Sequence, residues 1–424
     1  MRNKDYFKGK NILIAGFARS GLAAANLLYD LGAKVSISDN IDNAITRRNL
    51  NELKSPEIKV ELGKHSRDFI EGADLLIISP GIPDEALPIL WAKEAGIPAI
   101  SEVELAWILC PANIIAITGT NGKTTVTTLV GKIIEAWGKK VFTCGNIGRP
   151  FSSEVEKMEE NDYVSLEVSS FQLEKIDTFR PKVAAILNLS RNHLDRYNNM
   201  EDYLKAKKRI FKNQESSDFL VLNEYDPFTR NLGPEAKAKA VYFKAGGGLN
   251  ANQSAAMAIA RILGIGEDIV LNVFKDFKGV EHRMEEVLTL NGIKFINDSK
   301  STTTQATVWA LNSLSGPVVL IAGGREKGND YREVLELARG KVKAAVLIGE
   351  AQERISKAFN GAIDVDKALT LDEAVKKAVN LLPEGGCLLF SPMCKSFDMF
   401  SNYEERGKAF KSIALKLAGA GAEL

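Results

Sequence analysis

Residues Ile117 to Thr125 read ITGTNGKTT and follow the apolar run Asn113-Ile114-Ile115-Ala116. A Gly-Lys-Thr that ends a strand and opens a helix has the composition of a phosphate cradle. Glycines let backbone N–H groups approach phosphate oxygens, and the helix N-terminus adds its dipole. The lysine neutralises β/γ-phosphate charge, and the threonine hydroxyl ligates Mg2+. The long form of this loop carries a glycine about five residues before the Gly-Lys pair. Here that place is Ile117, so the loop is short and begins at Gly119. Gly119, Thr120, Asn121, Gly122, Lys123, Thr124 and Thr125 are the candidate ATP contacts. The alternative is a plain glycine turn between strand and helix.

Three further residues could serve a nucleotide and its metal. Glu167 stands between Leu166 and Val168 in YVSLEVSS, where a carboxylate is costly unless paired or metal-bound. It reads either as a metal or water ligand or as the exposed face of an edge strand. His193, in NLSRNHLDRY, follows the run VAAILNL at a strand's C-terminal end, where α/β proteins place ligands. The local sequence leaves a surface histidine and a metal ligand both open. Lys207 lies in NMEDYLKAKKRIFKN, with Asn199 as the expected N-cap. At about 100° per residue, Met200, Tyr203, Leu204, Ile210 and Phe211 share one apolar stripe, with Lys207 at its middle. Lys205, Lys208, Arg209 and Lys212 point the other way. A lysine on a buried face must snorkel, pair or change its chemistry.

The elements that must position these residues are legible from periodicity. Short apolar runs alternate with amphipathic helical patterns, which argues for βα units and parallel sheets. NILIAG, KVSISD, ADLLIISPG and IPAIS form a first series, and IIAITGT, KVFTCGN, YVSLEVSS, VAAILNLS and FLVLN a second. The third opens with a hairpin, VLTLNGIKFIND, turning at Asn291-Gly292, and continues PVVLIAGG, KAAVLIG and GGCLLFSP. Boundaries near Pro111 and Gly279 give three α/β domains, at 1–110, 111–279 and 280–424. The chain has 424 residues, of which 45% are apolar, with 55 Lys plus Arg against 54 Asp plus Glu. That balance gives no support for a nucleic-acid partner. No run is long enough for a membrane span, and the N-terminal stretch reads as a first strand rather than a signal peptide. Cys110, Cys144, Cys387 and Cys394 have no metal or redox spacing, and reduced thiols in a cytoplasmic protein are expected.

The outer domains carry ligand-type loops of their own. AGFARSG opens a helix where a dinucleotide fold has G-x-G-x-x-G, with Gly16 and Gly21 in place and Ala18 at the middle glycine. Asp39 ends the second strand, where an acidic residue meets a ribose hydroxyl. This is a weak signal for NAD and a better one for another nucleotide-bearing ligand. SPGIP, from Ser79 to Pro83, ends a later strand. In the third domain INDSKSTTT, AGGREKGND and SPMCKSFDMFSNYEERG each follow an apolar strand. Asp298, Lys300, Lys327, Ser396 and Tyr403 offer both signs of charge and hydroxyl donors, which suits a small zwitterion with carboxylates.

Together these motifs resemble the Mur ligases of bacterial cell-wall synthesis. SPG, ITGTNGKTT, GNIG, LEVSSFQLE, NHLDRY, the lysine of AKKRI, HR, NDSK and GGREKGND run along nearly all of the chain in the family's order. INDSKSTT is the discriminating text and resembles the branch that adds D-glutamate to UDP-N-acetylmuramoyl-L-alanine. The resemblance implies a Rossmann-like N-terminal domain, a central P-loop ATPase-like domain and a Rossmann-like C-terminal domain. It implies amide-bond formation through an acyl phosphate, with ATP and Mg2+ as cofactors and the UDP-sugar and D-glutamate as partners. By residue, it implies Lys123 at the γ-phosphate, with Thr124, Glu167, His193 and Lys207 around Mg2+. Lys207 would be an N6-carboxylysine, a carbamate formed with CO2. Asn250, Arg283 and Asp298 would face the adenine and ribose of ATP. Ser20, Asp39, Ser79, Pro80 and Gly81 would hold the UDP group, and Asn146 would contact the same substrate. Thr302, Lys327, Ser396, Phe397 and Tyr403 would hold D-glutamate. The chain departs from the family pattern at Arg19, which brings a charge beside Ser20, and at Asn192, Leu249 and Gln253. A family hairpin between Tyr242 and Asn250 is missing.

A cytoplasmic monomer is the expected state. The alternatives are a related ligase adding another amino acid such as L-glutamate, an NAD dehydrogenase, and a nucleotide switch without chemistry. The broken glycine pattern and the separate ATP loop count against the dehydrogenase. A switch has no need of a lysine buried on a helix stripe.

Overall fold

The structure is a computed structural model and describes residues 1–190, 196–326, 328–359, 361–382 and 385–420. The first sheet holds β1 (Asn11–Ala15), β2 (Lys34–Asp39), β3 (Lys59–Leu62), β4 (Leu75–Ile78) and β5 (Ala99–Ser101), all parallel, in the order β3-β2-β1-β4-β5. The order reverses between β1 and β4, the point where open α/β sheets bind ligands. The second sheet holds β6 (Asn113–Thr118), β7 (Val141–Gly145), β8 (Tyr163–Glu167), β9 (Val183–Ile186), β10 (Phe219–Asn223) and β11 (Lys239–Phe243). It is parallel throughout, in the order β11-β10-β9-β6-β8-β7.

The chain divides into two compact units, Met1–Phe277 and Lys278–Leu424. Within the first unit one apolar cluster runs through both sheets. Ile12, Ile14 and Ile37 join Ile114, Val164 and Leu166 by way of Val103, Leu105 and Leu109 on the helix Glu102–Leu109. Burying such side chains stabilises by about 1.5–3 kcal/mol each. The same helix carries a buried carboxylate. Glu104 accepts hydrogen bonds from the backbone N–H groups of Asp177, Thr178 and Phe179 at 2.7–3.0 Å, and from the Thr178 hydroxyl.

The second unit is a mixed sheet of β12 (Glu285–Leu290), β13 (Ile293–Asn297), β14 (Val318–Gly323), β15 (Val342–Ile348), β16 (Asp364–Lys367) and β17 (Cys387–Phe390). The order is β12-β13-β17-β14-β15-β16, with only β12 antiparallel. The expected hairpin joins β12 to β13 through Asn291 (φ 49°) and Gly292 (φ 75°), the left-handed pair a tight hairpin turn requires. All four cysteines are buried thiols. Burial pushes the Cys110 thiol up to about 11 and raises those of Cys144 and Cys387 as well. No helix among the described residues is long and apolar enough to cross a membrane.

Candidate active site

β6 delivers the loop 119–122, and the helix Lys123–Ala136 leaves it. Gly119 (φ 154°) and Gly122 (φ 81°) have backbone conformations that disfavour side chains. Space is closed as well: a Cβ at Gly122 would lie 2.3 Å from Asn252 Oδ1, and one at Gly119 3.1 Å from Leu187 Cβ. Asn188 pins the loop. Its carbonyl accepts from Thr120 N–H at 3.0 Å, and its side chain exchanges hydrogen bonds with the Asn121 backbone at 2.8 and 3.1 Å. These bonds fix the shape of the loop.

Two lysines converge on it. Lys123 Nζ donates to the carbonyls of Gly119 (2.9 Å) and Thr120 (3.0 Å). Lys207 Nζ donates to the same Gly119 carbonyl (3.0 Å) and to Thr118 Oγ1 (3.4 Å). Asn199 caps the helix Met200–Lys208 as expected, accepting from Asp202 N–H at 2.9 Å. Lys207 is 1% exposed, so it does not snorkel. Its Nζ lies 4.6 Å from the Tyr203 ring centroid. Burial above all, with Lys123 adding repulsion, pushes its ammonium well below the ordinary lysine range, and Glu167 opposes the shift.

Glu167 ends β8, which lies between β6 and β7, so the edge-strand reading of its carboxylate does not hold. It is 1% exposed. Asn146 Nδ2 donates to Oε1 at 2.7 Å and Asn146 N–H to the Glu167 carbonyl at 2.9 Å. Oε2 is buried without a hydrogen-bond partner among the described residues. A buried carboxyl oxygen left without a partner is costly and suits a cation. Thr124 is buried at the same loop. His193 lies outside the described residues.

At the first sheet's switch point, Ser79 Oγ donates to the Gly16 carbonyl at 3.1 Å. A Cβ at Gly21 would lie 1.9 Å from Gly16 O, so this glycine brings helix and loop together. Asp39 accepts from Phe17 N–H at 2.6 Å and from Ile41 N–H at 2.8 Å, which shapes the turn. Ser20, Pro80 and Gly81 border the same turns. The loop that starts at Ser79 is tied to the second sheet by Arg196, which donates to the Ile82 carbonyl (3.3 Å) and to Glu174 (2.5 Å). Asn250 is the N-cap of the helix Ala251–Ile262, its side chain accepting from Gln253 N–H at 3.0 Å. Its neighbour Asn252, unremarked in the sequence, faces the phosphate loop.

In the second unit three polar loops emerge from one end of β13, β14 and β17. Met393 N–H donates to Ser301 O (2.9 Å) and Arg325 N–H to Lys395 O (2.8 Å). Buried Arg406 ties two of the loops through Ser299 Oγ, Ser299 O and Cys394 O at 2.8–3.1 Å. Sequence reasoning missed it because a charged residue in a helix's first turns reads as surface. Thr302, Ser396 and Tyr403 belong to these loops or border them, with Phe397 46% exposed and Lys300 Nζ 5.5 Å from the Tyr403 ring. Lys327 lies outside the described residues. Asp298 is brought to Arg283: its carboxylate accepts from Ser301 and Ser391 hydroxyls and, at 3.2 Å, from Met284 N–H. Burial pushes it up to about 6 against those bonds and the Arg283 charge.

Comparison with known proteins matches three family models. They are a Mur ligase MurD-like N-terminal domain over residues 10–101, a Mur ligase middle domain over 117–268, and a Mur ligase glutamate ligase domain over 282–394. The chain is 40% identical to UDP-N-acetylmuramoylalanine–D-glutamate ligase of Thermoanaerobacter sp. (strain X514), covering 97% of this chain and 99% of that one. It is 42% identical to the enzyme of that name from Chloroherpeton thalassium, again covering 97% and 99%. Among solved structures, UDP-N-acetylmuramate-alanine ligase from Thermotoga maritima shares the fold, with a TM-score of 0.61 at 19% identity over 96% of this chain and 99% of that one.

Proposed function

The chain belongs to the Mur ligase family, and from that premise we propose that it joins D-glutamate to the alanine carboxylate of UDP-N-acetylmuramoyl-L-alanine at the expense of ATP. The reading is supported above all by one arrangement. Two lysine Nζ groups share the Gly119 carbonyl in the phosphate loop, and Lys207 feels the charge of Glu167, whose second oxygen is buried without a hydrogen-bond partner among the described residues. Domains at 1–110, 111–279 and 280–424, a monomer and a cytoplasmic location belong to the same proposal.

A carboxylate is a poor electrophile, so the alanine carboxylate first attacks the γ-phosphorus and ADP leaves. The D-glutamate amine then attacks the acyl carbon, inorganic phosphate departs, and the amine loses a proton. Lys123 leaves the Gly119 and Thr120 carbonyls for the γ-phosphate, while backbone N–H groups of 119–125 cradle the chain of phosphates. Thr124, Glu167, His193 and a carbamate on Lys207 would hold Mg2+, which when bound neutralises the phosphates. Asn146 fixes the Glu167 carboxylate. The depressed basicity of Lys207 makes its amine a nucleophile. The ammonium first gives up one proton. The nitrogen lone pair of the neutral amine then adds to CO2, a C=O electron pair moves to oxygen, and a second proton leaves, so two protons are lost as the buried cation becomes an anion. Arg283 and Asp298 would take the adenine and ribose side. The SPGIP and AGFARSG turns would hold UDP. Thr302, Lys327, Ser396, Phe397 and Tyr403 would hold D-glutamate.

The test is phosphate release with ATP, Mg2+, bicarbonate and the nucleotide sugar, comparing D-glutamate, L-glutamate, D-aspartate, L-lysine and no amino acid. Release with D-glutamate alone, with a matching mass gain on the nucleotide sugar, is expected. Release with L-glutamate instead would move the specificity, and release with none would overturn the ligase reading.

A further inference from the structure

We propose that Trp309 is a positioning residue for Arg283, its indole holding the guanidinium in place for the nucleotide; this rests on the assignment of Arg283 to ATP. The helix Thr304–Ser313 buries Thr304, Thr307, Ala310 and Leu311 and turns Trp309 outward, 51% exposed. Trp309 is packed into none of the apolar clusters formed by the described residues of this unit. A large apolar ring left there by packing has a different neighbour. The Arg283 guanidinium carbon lies 5.8 Å from its centroid, within cation–π reach.

The backbone on both sides of Arg283 is already fixed. His282 (φ 63°) and Met284 (φ 45°) are both left-handed, which non-glycine residues adopt at a cost of about 1–3 kcal/mol each. The surroundings enforce it. His282 is buried, with Nδ1 2.9 Å from Asn297 Nδ2, and its ring fills the space where a Cβ on Gly407 would lie. Its carbonyl accepts from Lys300 N–H at 3.0 Å, and Asp298 takes the Met284 N–H. Strain concentrated around one arginine points to a constraint on that arginine. The backbone leaves the long side chain's torsions unset, and an arginine loses considerable rotamer freedom when it is fixed. The Trp309 ring removes part of that freedom before ATP arrives, which strengthens binding by preorganisation.

The test uses the full-length enzyme with Trp309→Ala, Trp309→Phe, Arg283→Ala and the Ala/Ala double variant, after confirming unchanged Tm. KM is measured for each of the three substrates. Trp309→Ala is expected to raise KM for ATP about two- to fivefold. The rise is confined to ATP, is mostly reversed in Trp309→Phe, and vanishes when Arg283 is already Ala. Equilibrium binding of ADP by calorimetry repeats the comparison without turnover. An equal rise in the Arg283→Ala background would show the ring acting on the nucleotide itself and overturn the proposal. So would no rise in the wild-type background. If Arg283→Ala alone leaves both the KM for ATP and ADP binding unchanged, the assignment of Arg283 to ATP fails first, which separates the two failures.

Discussion

Lys207 was legible because helical period places it on an apolar stripe, and the structure turns that position into chemistry. Its amine is buried and held well below the ordinary lysine range, which favours the neutral amine that the proposed carbamate requires. Activity is expected to fall steeply in buffer stripped of CO2 and to return with bicarbonate. Lys207→Met should be inactive at every bicarbonate concentration, and activity indifferent to stripping would remove the carbamate. Asn146 fixes one oxygen of Glu167, and the other is buried without a hydrogen-bond partner among the described residues. Asn146→Ala should raise the Mg2+ needed for half-maximal rate by about 10- to 100-fold, as loss of a ligand's hydrogen-bond partner does. Asp298 was legible as a polar residue after a strand, but its environment was not. Its carboxyl sits at about 6, above the ordinary value of 3.8. Because the folded state holds the proton more tightly, its contribution is full below about pH 4 and lost as pH rises to about 6. Relative to Asp298→Asn, the wild-type protein should lose up to about 3 kcal/mol across that window, measured by chemical denaturation at successive pH values.

Among elements, the strands the sequence shows plainly are those with apolar runs: β4 reads LLII and β14 VVLIAG, and every residue of both is buried. The three it conceals, β3 (KVEL), β11 (KAVYF) and β16 (DVDK), are all at sheet edges. Most of their side chains are exposed or only half-buried, so no run of buried apolar residues marks them, whereas the edge strands β5, β7 and β12 carry enough apolar residues to be read. The phosphate loop's glycines were legible as turn glycines, but the close approach of Gly122, at φ 81°, to Asn252 far along the chain was not. Gly122→Ala adds a left-handed alanine and a collision, and should cost about 1–3 kcal/mol and raise KM for ATP. Adding Asn252→Ala should recover the steric part and not the conformational part. Thermal melts and ATP titration of the single and double variants check this. A double variant no better than Gly122→Ala would place the whole effect in backbone strain.

For the molecule as a whole, periodicity alone sorts strands and helices into three series but cannot show that the first two share one core. That sharing depends on the helix Glu102–Leu109, whose composition reads as an ordinary buried helix. Its Glu104 receives three backbone N–H groups and a hydroxyl from the second sheet's domain. Glu104→Ala strands those donors and should destabilise the first unit by about 3 kcal/mol or more. Earlier cleavage between 102 and 180 under limited proteolysis would report it, while an unchanged digestion pattern would mean water replaces the carboxylate at no cost. The buried cysteines have a further use. While folded, the chain should be nearly silent to thiol-specific alkylating reagents, so modification becomes a clock for transient opening. Cys110 and Cys144 keep time for the first unit, Cys387 and Cys394 for the second. Mass spectrometry of a slow labelling course can therefore read two opening rates from the wild-type chain, with no probe engineered into it. A cysteine placed on the surface would in turn be the single site a dye can reach.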